Sequence, residues 1–170
     1  MRPRVSSASL GGWIDPPQAW AALCEGADAA FWLDSAPQAT TGMSYLGVAS
    51  SVTTDFGGPV LDWLRAQAFD ADTTDAPPGF ALGWIGWLGY ELRGETMGVE
   101  VTRQSRYPDA AWMFVDRCLA FNHATRDVSV LTLGDAQSYR NEVVATLAAP
   151  RVERVETSPA GKAPHATWAY

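Results

Sequence analysis

The sequence carries little charge, and little of that charge is positive. Charged residues make up 18% of its 170 positions, and 12 basic residues against 19 acidic ones give a net charge of −7. A protein that binds nucleic acid by neutralising phosphates needs a basic surface, which neither this balance nor any local cluster of lysine and arginine provides. We therefore expect no nucleic-acid partner.

Cysteine and histidine are also scarce, with two of each. Cys24 and Cys118 do not form a CxxC pair, and neither has a histidine close to it in the sequence. Zinc sites and catalytic sets require such residues at defined spacings, which are missing here. We therefore predict no metal-binding residue and no catalytic residue in this chain. His123 is alone in a predicted turn, where a histidine is rarely catalytic.

Long hydrophobic runs are missing as well. No stretch is long and apolar enough to form a membrane-spanning helix. Residues 1–12 contain two arginines but no apolar segment of the kind found in signal peptides. We therefore expect no membrane association, a cytoplasmic location and reduced cysteines.

Apolar residues, by contrast, make up 47% of the chain and include eight tryptophans. This length and this apolar share suffice for one domain with its own core. Hydrophobic periodicity and turn residues together predict the secondary structure. The predicted helices cover residues 14–28, 57–69 and 134–150, and the predicted strands cover residues 29–35, 43–52, 110–123 and 127–133.

Several local signals refine this prediction. Asp15 and Asp135 each precede a predicted helix, so both are predicted N-caps. The last two strands are joined by a short polar turn, which indicates a hairpin. Because hairpins or single helices connect the strands, the order favours an α+β fold with antiparallel sheets over a doubly wound parallel sheet.

The stretch "GFALGWIGWLGYELRG", residues 79–94, combines closely spaced glycines with large rings. Its G-x-x-G-x-x-G spacing differs from that of a dinucleotide-binding loop, and the tryptophans between the glycines would block a pyrophosphate. Both faces of an extended chain would be apolar here, which predicts a bent strand, or a pair of strands, covered on both sides. We interpret the glycines as positions of close packing.

The character of the sequence changes after Pro150. Residues 151–170 have no sustained apolar period and end in "HATWAY", which is typical of the beginning of a helix. We therefore predict one domain over residues 1–150, followed over residues 151–170 by a linker and the start of a further domain.

Four motifs occur in a familiar order: "FWLDSA" at 31–36, "SYLGVA" at 44–49, "GWIGWLGYEL" at 83–92 and "PDAAWMFVDRCLAFNH" at 108–123. Over roughly residues 15–135 the chain resembles the N-terminal region of chorismate-using component I enzymes, aminodeoxychorismate synthase and anthranilate synthase. Asp34 and the "VDR…FNH" run favour the aminodeoxychorismate branch. The resemblance implies a four-layer α/β/β/α fold with orthogonally packed antiparallel sheets.

The resemblance also implies a chemistry for the complete enzyme. That enzyme uses chorismate, Mg²⁺ and ammonia from a glutamine amidotransferase subunit or domain, and it forms 4-amino-4-deoxychorismate on the way to folate. The metal-binding and catalytic residues of the family belong to its C-terminal chorismate-binding domain. Lys162 is the only lysine here and has no acidic residues grouped around it, so the catalytic lysine role is not assigned to it.

A tryptophan-type ligand site is the part of the family's machinery that the resemblance places in this chain. Its expected residues are Ser35, Thr40, Thr41, Gly42 and Met43. The family commonly has arginine and an aromatic residue where this chain has Gly42 and Met43, which weakens the expected contact with an amino acid. Two alternatives remain open: a regulatory domain of anthranilate synthase, and an independent tryptophan-binding module. Ser35 also has a simpler interpretation as a turn-forming hydroxyl.

Overall fold

A computed structural model describes residues 2–36, 38–67, 69–102 and 105–149. Residues 151–170, with Lys162 and the predicted linker, lie outside the described residues. The strands within the described ranges are β1 Ser6–Ser9, β2 Ala30–Leu33, β3 Met43–Val48, β4 Ser51–Thr53, β5 Gly83–Leu88, β6 Ala110–Val115, β7 Arg117–Asn122 and β8 Asp127–Thr132. The helices are α1 Pro16–Leu23, α2 Val60–Ala66, α3 Arg93–Met97 and α4 Ala136–Ala148, with a 3-10 helix at Tyr90–Leu92.

The strands form two antiparallel sheets. The large sheet has five strands in the order β1-β8-β7-β3-β2, and the small sheet has three in the order β4-β6-β5. This architecture confirms the predicted α+β class with antiparallel sheets. The predicted hairpin is β7 and β8, paired from Arg117↔Thr132 to Asn122↔Asp127. Strand β1 was not predicted; it lies at the edge of the large sheet, paired with β8.

Two of the predicted strands each divide between the sheets. Residues 43–53 supply β3 to the large sheet and β4 to the small one, and residues 110–122 supply β6 and β7 in the same way. The second division falls at Asp116, whose backbone carbonyl accepts a hydrogen bond from Leu133 N–H at 2.9 Å. The sequence alone does not show either division, because the residues on both sides of it are extended.

Three apolar clusters show that the elements are stacked in four layers. The first lies between the sheets and contains Val5, Phe31, Tyr45, Ala71, Leu82, Val115, Cys118, Ala120 and Leu131. The second joins the other face of the large sheet to α1 and α4, and its large buried members are Leu46, Leu119, Phe121, Val128, Val130 and Val143. The third joins the small sheet to α2 and the 3-10 helix through Val60, Leu92 and Ala110.

The two predicted helix caps have different outcomes. Asp135 caps α4 as predicted, accepting a hydrogen bond from Ser138 N–H at 2.6 Å. Asp15 occupies the predicted N-cap position of α1, but its carboxylate makes no cap bond and accepts instead from Trp13 Nε1–H at 3.2 Å. Prolines fill the first two positions of α1 and have no N–H, which removes one usual target of a capping side chain.

The glycine-rich stretch is only partly the covered strand that the sequence predicts. Its extended part, β5, is an edge strand, and the chain then turns into the 3-10 helix and α3. Trp87 and Leu88 are 45% and 48% exposed, so the prediction of cover on both faces is wrong for this end. Gly86 does mark close packing, because a Cβ there would overlap the carbonyl oxygen of Ala111.

The sequence patterns did not predict helix α3, which supports α2. Glu95 of α3 accepts hydrogen bonds from the N–H groups of Val60 and Leu61 at 2.9 and 2.8 Å. Pro59 precedes α2 and offers no capping side chain, so a residue 35 positions away caps the helix.

Among the described residues, no helix has both the length and the apolar character needed to cross a membrane.

Candidate functional site

Four of the predicted ligand residues lie in the connection between β2 and β3, the Ser35 loop (residues 34–42), and the fifth, Met43, begins β3. The two strands pair from Ala30↔Val48 to Leu33↔Tyr45. This pairing brings Ser35 beside Gly42 and Met43. Ser35 Oγ donates to the carbonyl oxygen of Met43 at 2.7 Å, and a Cβ on Gly42 would lie 2.9 Å from that hydroxyl oxygen. Gly42 also has a φ of +87°, so both its backbone and its surroundings favour glycine.

The other two predicted residues lie apart from this contact. Thr40 and Thr41 occupy the bend before Gly42, and both are exposed. The structure therefore brings three of the five predicted residues together: Ser35, Gly42 and Met43. The Ser35 hydroxyl proton is already used in the hydrogen bond to Met43. That hydroxyl oxygen still has the capacity to accept a hydrogen bond from a ligand.

Ser44, which follows the loop, is fully buried and organises its base. Its hydroxyl donates to Asp34 Oδ1 at 2.9 Å and accepts from the backbone N–H of Ser35 at 3.0 Å. The same oxygen lies 2.8 Å from Nε2 of His123.

His123 lies in a turn, as predicted, but the structure shows that it is not isolated there. It is only 8% exposed, and the ring edge of Trp13 packs against it at 5.4 Å between centroids. Its backbone N–H donates to the carbonyl oxygen of Gly42 at 3.1 Å. Strand periodicity could have indicated its burial, because it falls on the same face as the buried Leu119 and Phe121.

The three side chains Asp34, Ser44 and His123 do not form a nucleophilic site. The hydroxyl proton of Ser44 is directed to a carboxylate rather than to the imidazole, and the hydroxyl has no access to solvent. A catalytic serine needs the opposite arrangement, with its proton passing to the base and its oxygen open to the substrate. The arrangement instead connects the two ends of the loop through the Ser44 hydroxyl.

A cavity of about 350 Å³ lies on the α1 side of this network. Asp34, His123 and Arg126 line it, and the Arg126 guanidinium lies 3.9 Å from the ring centroid of Trp13. Three loop residues, Ala36, Gln38 and Ala39, also line the cavity. Ser35 and the other predicted ligand residues do not line it, so this groove and the predicted ligand contacts are separate features of the same loop.

Cys24 and Cys118 are buried and unpaired. Burial raises the pKa of Cys24 to about 11 and raises that of Cys118 further, so neither thiol is activated. The described residues bring together no group of three or more His, Cys, Asp or Glu side chains that could hold a metal ion.

Comparison with known proteins identifies the family. No protein-family model matches the chain. An aminodeoxychorismate synthase of Streptomyces griseus is 32% identical over 197 aligned residues, covering 98% of this chain. An anthranilate synthase component 1 of Streptomyces coelicolor is 30% identical over 154 residues and covers 86% of the chain. An aminodeoxychorismate synthase of Streptomyces pristinaespiralis is 30% identical over 151 residues and covers 72%. The chain belongs to the aminodeoxychorismate synthase and anthranilate synthase component 1 family.

The chain is much shorter than these family members. It spans 27% of the Streptomyces griseus protein, 30% of the Streptomyces coelicolor protein and 21% of the Streptomyces pristinaespiralis protein. The motifs by which it resembles the family form the two sheets and the Ser35 loop: "FWLDSA" and "SYLGVA" build β2, the loop and β3, and the two longer motifs build β5, β6 and β7. They are therefore parts of the scaffold.

Proposed function

We propose that this chain is the N-terminal, non-catalytic segment of an aminodeoxychorismate synthase component I. The observation that carries the proposal is the asymmetry of the alignment with the Streptomyces griseus protein, which covers 98% of the chain but only 27% of the relative. The segment would then contribute a two-sheet body, with the reacting groups supplied by the rest of the enzyme.

In this proposal the complete enzyme aminates chorismate to 4-amino-4-deoxychorismate, with ammonia supplied by a glutamine amidotransferase partner. The residues described here do not group into a metal site, which supports assigning Mg²⁺ to the chorismate-binding domain rather than to this chain. The buried, unactivated thiols and the inward-directed Ser44 hydroxyl agree with a segment that carries no nucleophile.

Complementation tests this proposal. The chain is mixed with the separately produced remainder of the Streptomyces griseus enzyme, chorismate, Mg²⁺ and an ammonium salt, and products are separated by chromatography. We expect 4-amino-4-deoxychorismate only when both parts are present. The positive control is the matching segment of the griseus enzyme itself. No product with this chain, in an assay where the matching segment restores turnover, would contradict the proposal.

The same assay distinguishes the two branches of the family. Anthranilate synthase component 1 is the second candidate, supported by the 30% identity to the Streptomyces coelicolor protein. We favour aminodeoxychorismate synthase because its alignment covers more of the chain. In a second format of the assay, this chain replaces the aligned segment in each complete relative, which gives two hybrid enzymes. The difference between their rates then reports which branch the chain fits. Higher activity in the anthranilate synthase hybrid would reverse our preference.

We also propose that the Ser35 loop is one half of a tryptophan-type site in the complete enzyme. The contact between Ser35, Gly42 and Met43 supports a common surface for these residues, and exposed Thr40 and Thr41 extend it. Because the Ser35 hydroxyl proton is already bonded to Met43, binding by this chain alone should be weak.

Titration calorimetry with tryptophan separates this role from that of an independent tryptophan-binding module. A half-site should give a Kd of millimolar order or weaker, which corresponds to about −4 kcal/mol. A micromolar Kd on the isolated chain would favour the independent module. Ser35→Ala serves as the matched variant, since it removes the hydroxyl while leaving Gly42 and Met43 in place.

A further inference from the structure

The Ser35 loop is held at its base by one residue from a distant hairpin. His123 lies at the end of β7, and its backbone N–H donates to the Gly42 carbonyl at 3.1 Å. Its Nε2 lies 2.8 Å from the Ser44 hydroxyl oxygen. His123 therefore contacts the returning side of the loop through two bonds, one from the backbone and one from the ring.

Ser44 transmits this contact to the outgoing side of the loop. Its hydroxyl holds Asp34 Oδ1 at 2.9 Å and receives the Ser35 N–H at 3.0 Å. Both ends of the predicted ligand loop thus meet at one buried oxygen atom. A shift of that oxygen would move Ser35 directly, since the bond is made to the Ser35 backbone.

The proton inventory assigns the role of the imidazole. A serine hydroxyl has one proton to donate, and the Ser44 proton is directed to the Asp34 carboxylate. The bond between His123 and Ser44 therefore requires a proton on Nε2, so that the imidazole donates and the hydroxyl oxygen accepts. If Nε2 carried no proton, it and the Ser44 oxygen would both be acceptors, and no hydrogen bond could form between them.

We propose that His123 is the positioning residue of the tryptophan-type site, acting through Ser44 on Ser35. This inference rests on the proposed function of the Ser35 loop. For this role, residue 123 needs an N–H donor that reaches the Ser44 oxygen. It does not need to contact the ligand. Loss of that donor should release residues 34–44 and leave the rest of the large sheet in place.

Two polar substitutions of His123 test whether an N–H donor to Ser44 is needed or whether any polar side chain suffices. In His123→Gln, the terminal amide nitrogen lies near the position of Nε2 and retains an N–H donor. In His123→Asn, the amide ends near the position of Nδ1 and is too short to reach Ser44. Both replacements are uncharged and of moderate size, so they differ mainly in reach. Thr125→Asn in the same turn is a control outside the network.

Hydrogen exchange of the chain tests the positioning role without any ligand. Loss of a buried hydrogen bond corresponds to about tenfold faster exchange of the amides it protects. We expect this acceleration at Ser35 and its neighbours in His123→Asn, near wild-type exchange in His123→Gln and Thr125→Asn, and little change in β8. Unchanged exchange in His123→Asn would overturn the proposal. So would equal acceleration throughout the large sheet with a lowered urea midpoint, because that result indicates a general structural role.

A second measurement connects the loop to binding. In the enzyme reconstituted with its chorismate-binding part, we expect His123→Asn to raise the Kd for tryptophan about tenfold, and His123→Gln to restore it. If the wild-type enzyme does not bind tryptophan, the proposed ligand site fails, while the exchange experiment still tests the positioning role. An unchanged Kd in His123→Asn, with the loop released, would show that the position of Ser35 does not control binding.

Discussion

The large sheet has helices on one face and the second sheet on the other, whereas the small sheet leaves the end of its edge strand β5 open to solvent. Leu119 and Phe121 in β7 are 0% exposed, while Trp87 and Leu88 in β5 are nearly half exposed. The described ranges contain three buried side-chain polar atoms without a hydrogen-bond partner. Two of them, Arg93 Nε and Trp112 Nε1, belong to the small-sheet half.

This difference shows which half of the molecule has a complete core. Exposed edge strands usually carry charge or proline, which discourages pairing with other chains. Strand β5, with the sequence GWIGWL, carries neither. The large sheet therefore has the burial on both faces that an independent core needs. The small sheet instead exposes an apolar edge strand, which is typical of a surface that packs against another segment. This asymmetry agrees with the proposal that the chain functions within a longer enzyme.

The sharpest test of the comparison is one substitution made in both sheets. Leu119→Ala should lower the free energy of unfolding by about 2–5 kcal/mol, because it leaves a cavity in a closed core. Leu88→Ala should cost under about 1 kcal/mol, because the side chain is half exposed. Urea denaturation measures both. Similar losses would mean that the small sheet is packed as completely as the large one.

A second test asks how tightly β5 and β6 pack. Gly86→Ala should cost about 1–3 kcal/mol, since the added methyl group meets the Ala111 carbonyl and the Trp112 ring. Gly58→Ala is the matched control, because a Cβ there meets no atom within 4 Å. Its effect should stay within about 0.5 kcal/mol in the same denaturation experiment. A neutral Gly86→Ala would contradict the β5–β6 register.

The tertiary cap of α2 gives a smaller effect on the same side of the molecule. Glu95→Ala should cost about 1–2 kcal/mol by leaving the Val60 and Leu61 N–H groups without their acceptor. Glu95→Gln keeps one acceptor oxygen and should fall between the wild type and Glu95→Ala. Glu100→Ala, in the exposed segment after α3, is the control. Equal urea midpoints for Glu95→Ala and Glu100→Ala would exclude the cap.

The smallest effect concerns the large-sheet side and depends on pH. Hydrogen bonds from Ser138, first its side chain and then its backbone N–H, lower the pKa of Asp135 in the folded state. A lowered pKa stabilises the fold above the unfolded-state pKa, and this contribution is lost as the pH falls through the folded-state pKa. Below about pH 4 the urea midpoint of the wild type should therefore fall more steeply than that of Asp135→Asn. Parallel curves would contradict this role.

Local signals in the sequence predicted much of the fold. Helices α1, α2 and α4 follow from apolar periodicity, and α4 also from its N-cap at Asp135. The hairpin of β7 and β8 follows from two apolar runs around a polar turn. The ligand loop was predicted differently, through the resemblance of "FWLDSA" and "SYLGVA" to a family, and it stays a prediction. The contact of Ser35 with Gly42 and Met43 gives that prediction a geometry.

The missed features are those whose partners lie far along the chain. Strand β1 has the unremarkable sequence SSAS and exists by pairing with β8, more than 120 residues later. The division at Asp116 depends on which sheet each half of an apolar run joins. The cap of α2 by Glu95 spans 35 positions, and the bond between Ser44 and His123 spans 79.

By itself, the sequence indicated the family through four ordered motifs. It also determined the α+β class and the elements whose hydrogen bonds close within a few residues, because apolar spacing and capping residues act locally. Only the tertiary structure decided which strands share a sheet, which end of β5 stays exposed and which histidine holds the Ser35 loop. These outcomes depend on burial and on hydrogen bonds between distant segments, and a local pattern carries no record of the partner that satisfies them.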